Sequence, residues 1–457
     1  MLFNFRTSFI RQEFHFKLNR NNILCFLIGL LFTGTVSVEA QNESINTFIV
    51  YYAWGLPANF KDSLQGYSIL VDSRPYMTDA DIVKIKEAFG GLRILHYGNM
   101  LYVETDSIHH FDTYYDWAPD IISNHQDFLL LNKEGRKDSS LPARKKYAWG
   151  FTRPYDSTTE YKGIFFLNPA SLGWTEYYAK LAKSVLTENY LQNKEGIFVD
   201  CVCSEISAYF ESQPVNLQID FNGDGIVNSS DDSAWEDAIV NFSKIVKNEL
   251  GQNILLIANS DYLAFGAHGF HIIKEAAFDG YFNEYFLFPW TSNDSTIYPD
   301  THRWKENENY IFLMNRLNKI VLLEVIGKEK DHQARLLSLG SFLLAESDNS
   351  YFNYRYSQGY DFLYRFPEFN LVTGKALESF REIDDALDKN TGLYKRSFEF
   401  VDVYVNPFSY SVQLNEPSDR KQLVLNGGLV GDGGSCLWEK GRSFTLAPHS
   451  ALILSRN

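Results

Sequence analysis

Cysteine is scarce in this chain, and what there is does not pair. Of the four cysteines in 457 residues, Cys25 lies in an N-terminal segment with the features of a secretory signal, which leaves Cys201, Cys203 and Cys436. An odd number in an exported chain excludes a complete disulfide framework. Cys201 and Cys203 sit two apart on one face of an expected strand, where a mutual bridge would be strained, so they read as buried thiols beside a site, with metal ligation the lesser alternative. Positive charge is also short: 42 Lys and Arg stand against 57 Asp and Glu, a formal net charge of −15. That balance argues against nucleic acid and anionic membrane surfaces as partners. Beyond the N-terminal segment no apolar run approaches the ~20 residues of a membrane helix, so stable insertion is not expected. The chain also lacks an internal repeat, a glycine-rich phosphate loop, a G-x-S-x-G elbow and an H-E-x-x-H pair, which removes the usual signatures of nucleotide, serine and zinc chemistry.

What is present is a globular composition, 45% hydrophobic and 22% charged, with an aromatic share of 16%. Tyr and Trp combine an apolar plate with a polar tip, a combination that suits sugar rings, although most such residues serve as core. Arg6, Arg11, Lys17 and Arg20 precede the apolar run "ILCFLIGLLFTGTV" and the small residue Ala40. This order predicts a signal peptide over 1–40 and a secreted, periplasmic or envelope location. Its removal would take away four basic and two acidic residues and leave a net charge of −17.

Eight short apolar runs follow: 46–54, 67–72, 92–99, 195–202, 253–260, 278–286, 319–327 and 349–356. Helical patterns alternate with them. In "WTEYYAKLAKSVL", Trp174, Tyr177, Leu181 and Val185 keep a helical period; in "AWEDAIVNFSKIVKNELG", Trp235, Ile239, Phe242 and Val246 do the same before Gly251. Strand and helix at this cadence predict a parallel α/β sheet, and eight strands predict closure into a (β/α)₈ TIM barrel over 41–392. A doubly wound open sheet is the alternative, weakened by the missing phosphate loop. From about residue 390 the texture becomes alternating and rich in Gly, Pro and Asn, which predicts a small antiparallel β-sandwich-like domain over 393–457.

Barrel enzymes carry their chemistry at the C-terminal ends of strands. That rule selects Asp72, His96, Tyr97, Asn99, Asp200, Asn259, Asp261, Glu284 and Glu324. Asp200 follows "GIFV", a context that solvates a carboxylate poorly unless the strand delivers it to a cavity; a helix N-cap is the other reading. Glu284 stands among aromatics in "GYFNEYF", an environment that favours a protonated carboxyl; an ordinary buried acid paired with Arg316 is the other reading. Two carboxylates from different strands meet the requirement for glycosidic cleavage, with Asp200 as nucleophile or stabiliser and Glu284 as general acid/base. The expected substrate-binding set is Trp54, Asp72, Tyr97, Trp117, Asn259, Tyr281, Trp290 and Glu324, with Trp149 a further aromatic near a strand end. A barrel that binds glycans without turning them over, in an uptake or envelope system, is the alternative function.

The stretch "DFNGDGIVNSSD" has the spacing of a calcium loop. Asp220, Asn222, Asp224, Asn228 and Asp231 fall at positions 1, 3, 5, 9 and 12, with Gly225 at the sharp turn and the Ile226 carbonyl at position 7. Hard oxygens at alternate positions suit Ca²⁺, expected here in a structural role, and a polar turn without metal is the other reading. Asp in place of Glu at the twelfth position resembles a dockerin loop, but there is only one loop where a dockerin has two, and a helix of the barrel cadence follows directly. The order "GIFVDCV", "IDFNGDGIVNSSDDSAW", "ILLIANS", "DGYFNEYF" resembles the hypothetical glycosyl hydrolase family 15 and is distantly similar to the barrels of α-galactosidases and endo-α-1,4-polygalactosaminidases. The resemblance covers roughly Gly196 to Phe288. It implies a catalytic barrel acting on a poly- or oligosaccharide, with Asp200 matching the acid of the fourth strand and Glu284 that of the sixth.

Overall fold

The computed structural model describes residues 44–72, 77–104, 118–141, 146–151, 163–187, 194–206, 219–260, 269–288, 296–356, 360–415, 419–441 and 444–456. The expected signal segment lies outside them. At the centre are eight parallel strands: β1 (Phe48–Tyr51), β2 (Ile69–Asp72), β3 (Arg93–Asn99), β4 (Gly196–Asp200), β5 (Leu255–Asn259), β6 (Gly280–Asn283), β7 (Ile320–Ile326) and β8 (Ser350–Arg355). Each lies within one of the eight apolar runs. They pair in chain order, and a parallel bridge between Thr47 and Phe352 brings the last strand back to the first. The sheet is therefore a TIM-type barrel, not an open doubly wound sheet.

Side chains alternate across a strand, so one interior residue fixes the side of all the others. Phe48, Val71, Leu95, Phe198, Ile257, Phe282 and Leu322 form the buried cluster inside the barrel. By the same parity Asp200, Asn259, Glu284, Glu324 and Arg355 face inward, toward the C-terminal mouth. Asp72, His96 and Tyr281 face outward, toward the helices.

The connection from β3 to β4 holds a three-stranded antiparallel sheet of Tyr102–Glu104, Gly163–Phe166 and Trp149–Phe151, then the helix Leu172–Thr187. Strands of three or four residues carry too little alternation to stand out in the sequence, and this sheet was not expected. The helix Ser229–Leu250 begins with a capping box in which Asn228 and Asp231 exchange side-chain and backbone hydrogen bonds, and it stops at Gly251, whose φ of 91° suits glycine. Its periodic residues Trp235, Ile239, Phe242 and Val246 are all buried.

One helix carries a costly residue on its buried face. In Thr301–Arg316, Trp304, Asn307, Glu308 and Ile311 are all buried. Neither carboxyl oxygen of Glu308 has a hydrogen-bond partner among the described residues. Burial pushes this carboxyl well above the ordinary range, so the folded protein keeps the acid neutral. Above the pKa of an exposed carboxyl the unfolded chain binds fewer protons than the folded one, so stability falls as pH rises. Glu308→Gln is expected to raise Tm, by a margin that grows with pH above about 4.5 and vanishes below it. A constant difference across a pH series of melting curves would remove the buried acid from the account.

The C-terminal part is a five-stranded antiparallel sheet in the order Tyr394–Ser397, Val401–Asn406, Ser450–Ser455, Lys421–Asn426, Ser435–Lys440, with a two-stranded ribbon of Val412–Leu414 and Phe444–Leu446. Leu393, Tyr404, Leu414, Phe444, Leu446 and Leu454 fill the space between sheet and ribbon. The other face of the sheet packs on the barrel helix His332–Ala345. At Gly340 an added Cβ would meet the Ala451 Cβ at 2.5 Å, so glycine lets helix and sheet approach this closely. Barrel and sheet share one compact unit, Ser44–Asn457.

Candidate active site

Asp200 ends β4, and the chain turns sharply after it. Cys201 adopts a left-handed φ of 62°, unusual for a residue with a side chain. The turn is held from both sides: the Val202 amide donates to the Asn259 carbonyl at 2.9 Å, and the Cys203 amide to the Cys201 carbonyl at 3.1 Å. Asn99, beside Asp200 in the register of β3 and β4, donates through Nδ2 to the Cys201 sulfur at 3.4 Å. Neither Cys201 nor Cys203 is in a disulfide among the described residues; Cys203 is buried and Cys201 partly so.

The Asp200 carboxylate takes a hydrogen bond on each oxygen, from the Tyr97 hydroxyl at 2.6 Å and from Asn259 Nδ2 at 2.8 Å. The same Asn259 nitrogen approaches Glu284 Oε2 at 3.4 Å. Neighbouring strands thus deliver both acids to a single amide. Because these two distances bound the gap between the oxygens, the pair is closer than the about 6.5–9.5 Å that admits a water between inverting carboxylates.

Glu284 stands one residue beyond β6 and keeps 16% of its side-chain surface exposed. Its Oε1 accepts from Arg355 Nη2 at 3.1 Å and from the Tyr360 hydroxyl. Arg355 also donates through Nε to Glu324 Oε1 at 2.9 Å, and the other Glu324 oxygen accepts from Asn353 Nδ2 at 2.8 Å. The guanidinium lies 3.8 Å over the Tyr360 ring. One cation cannot neutralise two carboxylates. Burial first, and then the charge of Glu324, push the Glu284 carboxyl up to about 7, against the opposing pull of Arg355. Burial raises Glu324 as well, with Arg355 and Asn353 resisting. Tyr97 and Tyr360 are held far above the usual phenol range by burial, so both remain neutral donors. Arg316, the partner considered for Glu284 from sequence, instead donates to the Arg381 carbonyl.

The structure thus brings together Asp200, Glu284, Asn259, Tyr97 and Glu324. It does not bring Asp72 and Tyr281 to the mouth, and parity is the reason. Asp72 is fully buried outside the barrel, where Lys194 Nζ donates to it at 2.7 Å and reaches His96 Nδ1 at 3.1 Å. Tyr281 packs against the helix Gly269–Glu275 and donates to the Ile272 carbonyl at 3.0 Å. Trp54 is exposed in the loop after β1. Trp149 lies in a strand of the inserted sheet, and Trp117, Trp290 and Asp261 fall outside the described residues. Sequence reasoning missed Arg355, Asn353, Tyr360 and Tyr52. Arg355 and Asn353 share the inward parity of β8, a signal that was available. Tyr52 and Tyr360 sit beyond strand ends; the Tyr52 ring lies 5.2 Å from Tyr97 and 5.1 Å from Tyr360, and forms an aromatic wall with them.

The loop Asp220–Asp231 is wound by its own polar groups. The Asp220 carboxylate accepts from the amides of Gly223 and Gly225, each at 2.9 Å, and both glycines have positive φ, 81° and 86°. Asp231 accepts from the amides of Asn222 and Asn228 at 3.0 and 2.8 Å, and Asp224 from Ile226 at 2.8 Å. The donor set is all hard oxygen, which fits a calcium ion in kind. Among the described residues no three Asp, Glu, His or Cys side chains converge to hold an ion alone. The Asn222 and Asn228 amide oxygens and the Ile226 carbonyl would have to complete a shell. The loop touches the site through packing: Phe221 meets the Trp235 ring edge-on at 5.1 Å, and Trp235 Nε1 donates at 2.9 Å to the carbonyl of Cys203, three residues after Asp200.

No known protein family matches the sequence, and no curated protein matches it either. Among solved structures, the chain is similar in fold to the glycoside hydrolase domain of PelA from Pseudomonas aeruginosa, at 13% identity and a TM-score of 0.42 over 70% of this chain and 97% of that one. It is also similar to a GH36 alpha-galactosidase from Geobacillus stearothermophilus, at 11% identity and a TM-score of 0.38 over 91% of this chain and 56% of that one. A third is the ER glucosidase II heterodimeric complex, at 9% identity and a TM-score of 0.44 over 91% of this chain and 45% of that one. These three are named as glycoside hydrolases or glycosidases, and a cycloisomaltooligosaccharide glucanotransferase from Paenibacillus is similar as well, at 11% identity and a TM-score of 0.38.

Proposed function

We propose that this protein is an exported glycoside hydrolase that cleaves a poly- or oligosaccharide with retention at the anomeric carbon. The observation that carries the reading is the shared Asn259 amide, which holds an acid from β4 and an acid from beyond β6 on the retaining side of the known separations. Asp200, hydrogen-bonded on both oxygens, is the nucleophile. It attacks the anomeric carbon as the glycosidic C–O bond breaks, and Glu284 passes its proton to the leaving oxygen. Glu284, now ionised, takes a proton from water, whose oxygen displaces Asp200 from the sugar. A general acid works best with a pKa near the operating pH, and about 7 meets that condition for Glu284. Tyr52, Tyr97 and Tyr360 offer ring faces beside the acids.

The test is a panel of glycans assayed for released reducing sugar, with and without Ca²⁺. Release from at least one glycan supports the reading, and early NMR of the product should show the anomer of the substrate. Binding without turnover, with unaltered affinity in Asp200→Asn and Glu284→Gln, would replace it by a glycan-binding barrel.

We also propose that the loop Asp220–Asp231 takes a structural Ca²⁺. Chelation is expected to lower thermal stability, and Ca²⁺ to restore it by about 3 kcal/mol of unfolding free energy when the ion is a hundredfold over its dissociation constant. Melting curves that ignore both additions would mean that the loop's own hydrogen bonds suffice.

A further inference from the structure

Glu284 shares its cation with Glu324, an acid expected from sequence to bind substrate but fully buried behind it. Glu284 is faced by Asp200 from β4, Asn259 from β5, Glu324 from β7, Arg355 from β8 and Tyr360 beyond it; Tyr97 stands behind Asp200, and Tyr364 behind Asn353. Among the described residues this cluster holds three carboxylates and one guanidinium. Left alone with Glu284, Arg355 would form an ordinary ion pair and strip the acid of its proton.

Glu324 prevents that by competing for the same cation. It has the shorter bond to Arg355, 2.9 Å against 3.1 Å, and its second oxygen has a firm donor in Asn353 at 2.8 Å. Among the described residues the second oxygen of Glu284 has only the 3.4 Å approach of Asn259. Asn353 is itself fixed, through the Tyr364 hydroxyl at 2.9 Å. The Tyr360 hydroxyl lies nearer Glu284 than Glu324 and pulls the other way, but the Arg355 and Asn353 donors together solvate a negative charge better on Glu324, and the proton of the pair resides on Glu284. Glu324 is fully buried, so its charge is not screened by solvent. We propose that Glu324, through the guanidinium it shares with Glu284, is the positioning residue that keeps the Glu284 carboxyl protonated. The inference rests on the hydrolase reading only for its use, because the sharing of Arg355 is independent of any substrate.

The experiment follows Glu284 directly in the intact protein, by ¹³C NMR with carboxyl-labelled glutamate, the resonance being identified by its loss in Glu284→Gln. In Glu324→Gln the Glu284 midpoint is expected to fall by about one to three pH units. Glu324→Asp keeps the charge and should return the midpoint toward wild type. An unchanged or higher midpoint in Glu324→Gln overturns the inference. If that variant does not fold, Asn353→Leu serves instead: it withdraws the donor that favours a charge on Glu324 without touching Glu284 and should move the midpoint down, and an unchanged or higher midpoint overturns the inference. The basic limb of the kcat/KM profile should follow the same shifts. Midpoints that move as expected in a protein that turns over no glycan would sink the hydrolase reading and leave the coupling standing.

Discussion

Glu284→Gln is expected to lower kcat/KM on a responsive glycan by about 10²–10⁴-fold, the usual worth of a positioned general acid. The amide has the shape of the acid, and its carbonyl oxygen can still accept from Arg355 Nη2 and Tyr360, so the site should keep its form. What it lacks is a transferable proton. The loss should therefore be largest for poor leaving groups and small for an activated aryl glycoside, whose departure needs no acid. Asp200→Asn removes the nucleophile and should bring turnover to background for every leaving group, although Tyr97 and Asn259 still hold the side chain. Equal loss on good and poor leaving groups in Glu284→Gln would move the acid role elsewhere. Wild-type rates in both variants would end the assignment.

Arg335→Met should destabilise the protein by about 3–5 kcal/mol, the cost of breaking a buried ion pair by removing one partner. Arg335 and Glu368 are both essentially unexposed and pair in a fork, Nε to Oε1 at 2.7 Å and Nη2 to Oε2 at 2.6 Å. The remaining nitrogen Nη1 donates to the Glu329 carbonyl at 3.0 Å and to the Gly427 carbonyl at 2.8 Å. One guanidinium thus ties a barrel helix to the short turn Pro367–Asn370 and to the C-terminal sheet. Methionine would leave the Glu368 charge buried without its cation. Denaturant unfolding should show the loss as a lower midpoint, and Arg335→Met with Glu368→Leu should recover much of it, since the uncompensated charge is then gone. A single variant within 1 kcal/mol of wild type, about the worth of an exposed pair, would show that solvent reaches this fork.

These expectations draw on different depths of the sequence. The eight barrel strands were legible because each is a compact apolar run between helical patterns, and the long helices because Trp174 and Trp235 begin clear periodic faces. The inserted sheet was not legible, since its strands are short and its partners lie tens of residues apart. The acids at strand ends were legible as candidates, but the rule that selected Asp200 and Glu284 also selected Asp72. Only the parity of β2 separates Asp72, which belongs to Lys194 and His96 outside the barrel, from the acids inside it.

By itself, then, the sequence determined the cadence of strands and helices, the acidic balance, the change of texture near residue 390 and the oxygen-rich spacing of Asp220–Asp231. Each is a local property, written in neighbouring residues. The tertiary structure alone decided that Asn259 lies between Asp200 and Glu284, that Arg355 is shared by Glu284 and Glu324, and that Arg335 joins the barrel to the sheet. These partners are separated by tens of residues, and their charge states depend on burial and on one another. Closing the barrel is what sets those distances, and no local pattern encodes them.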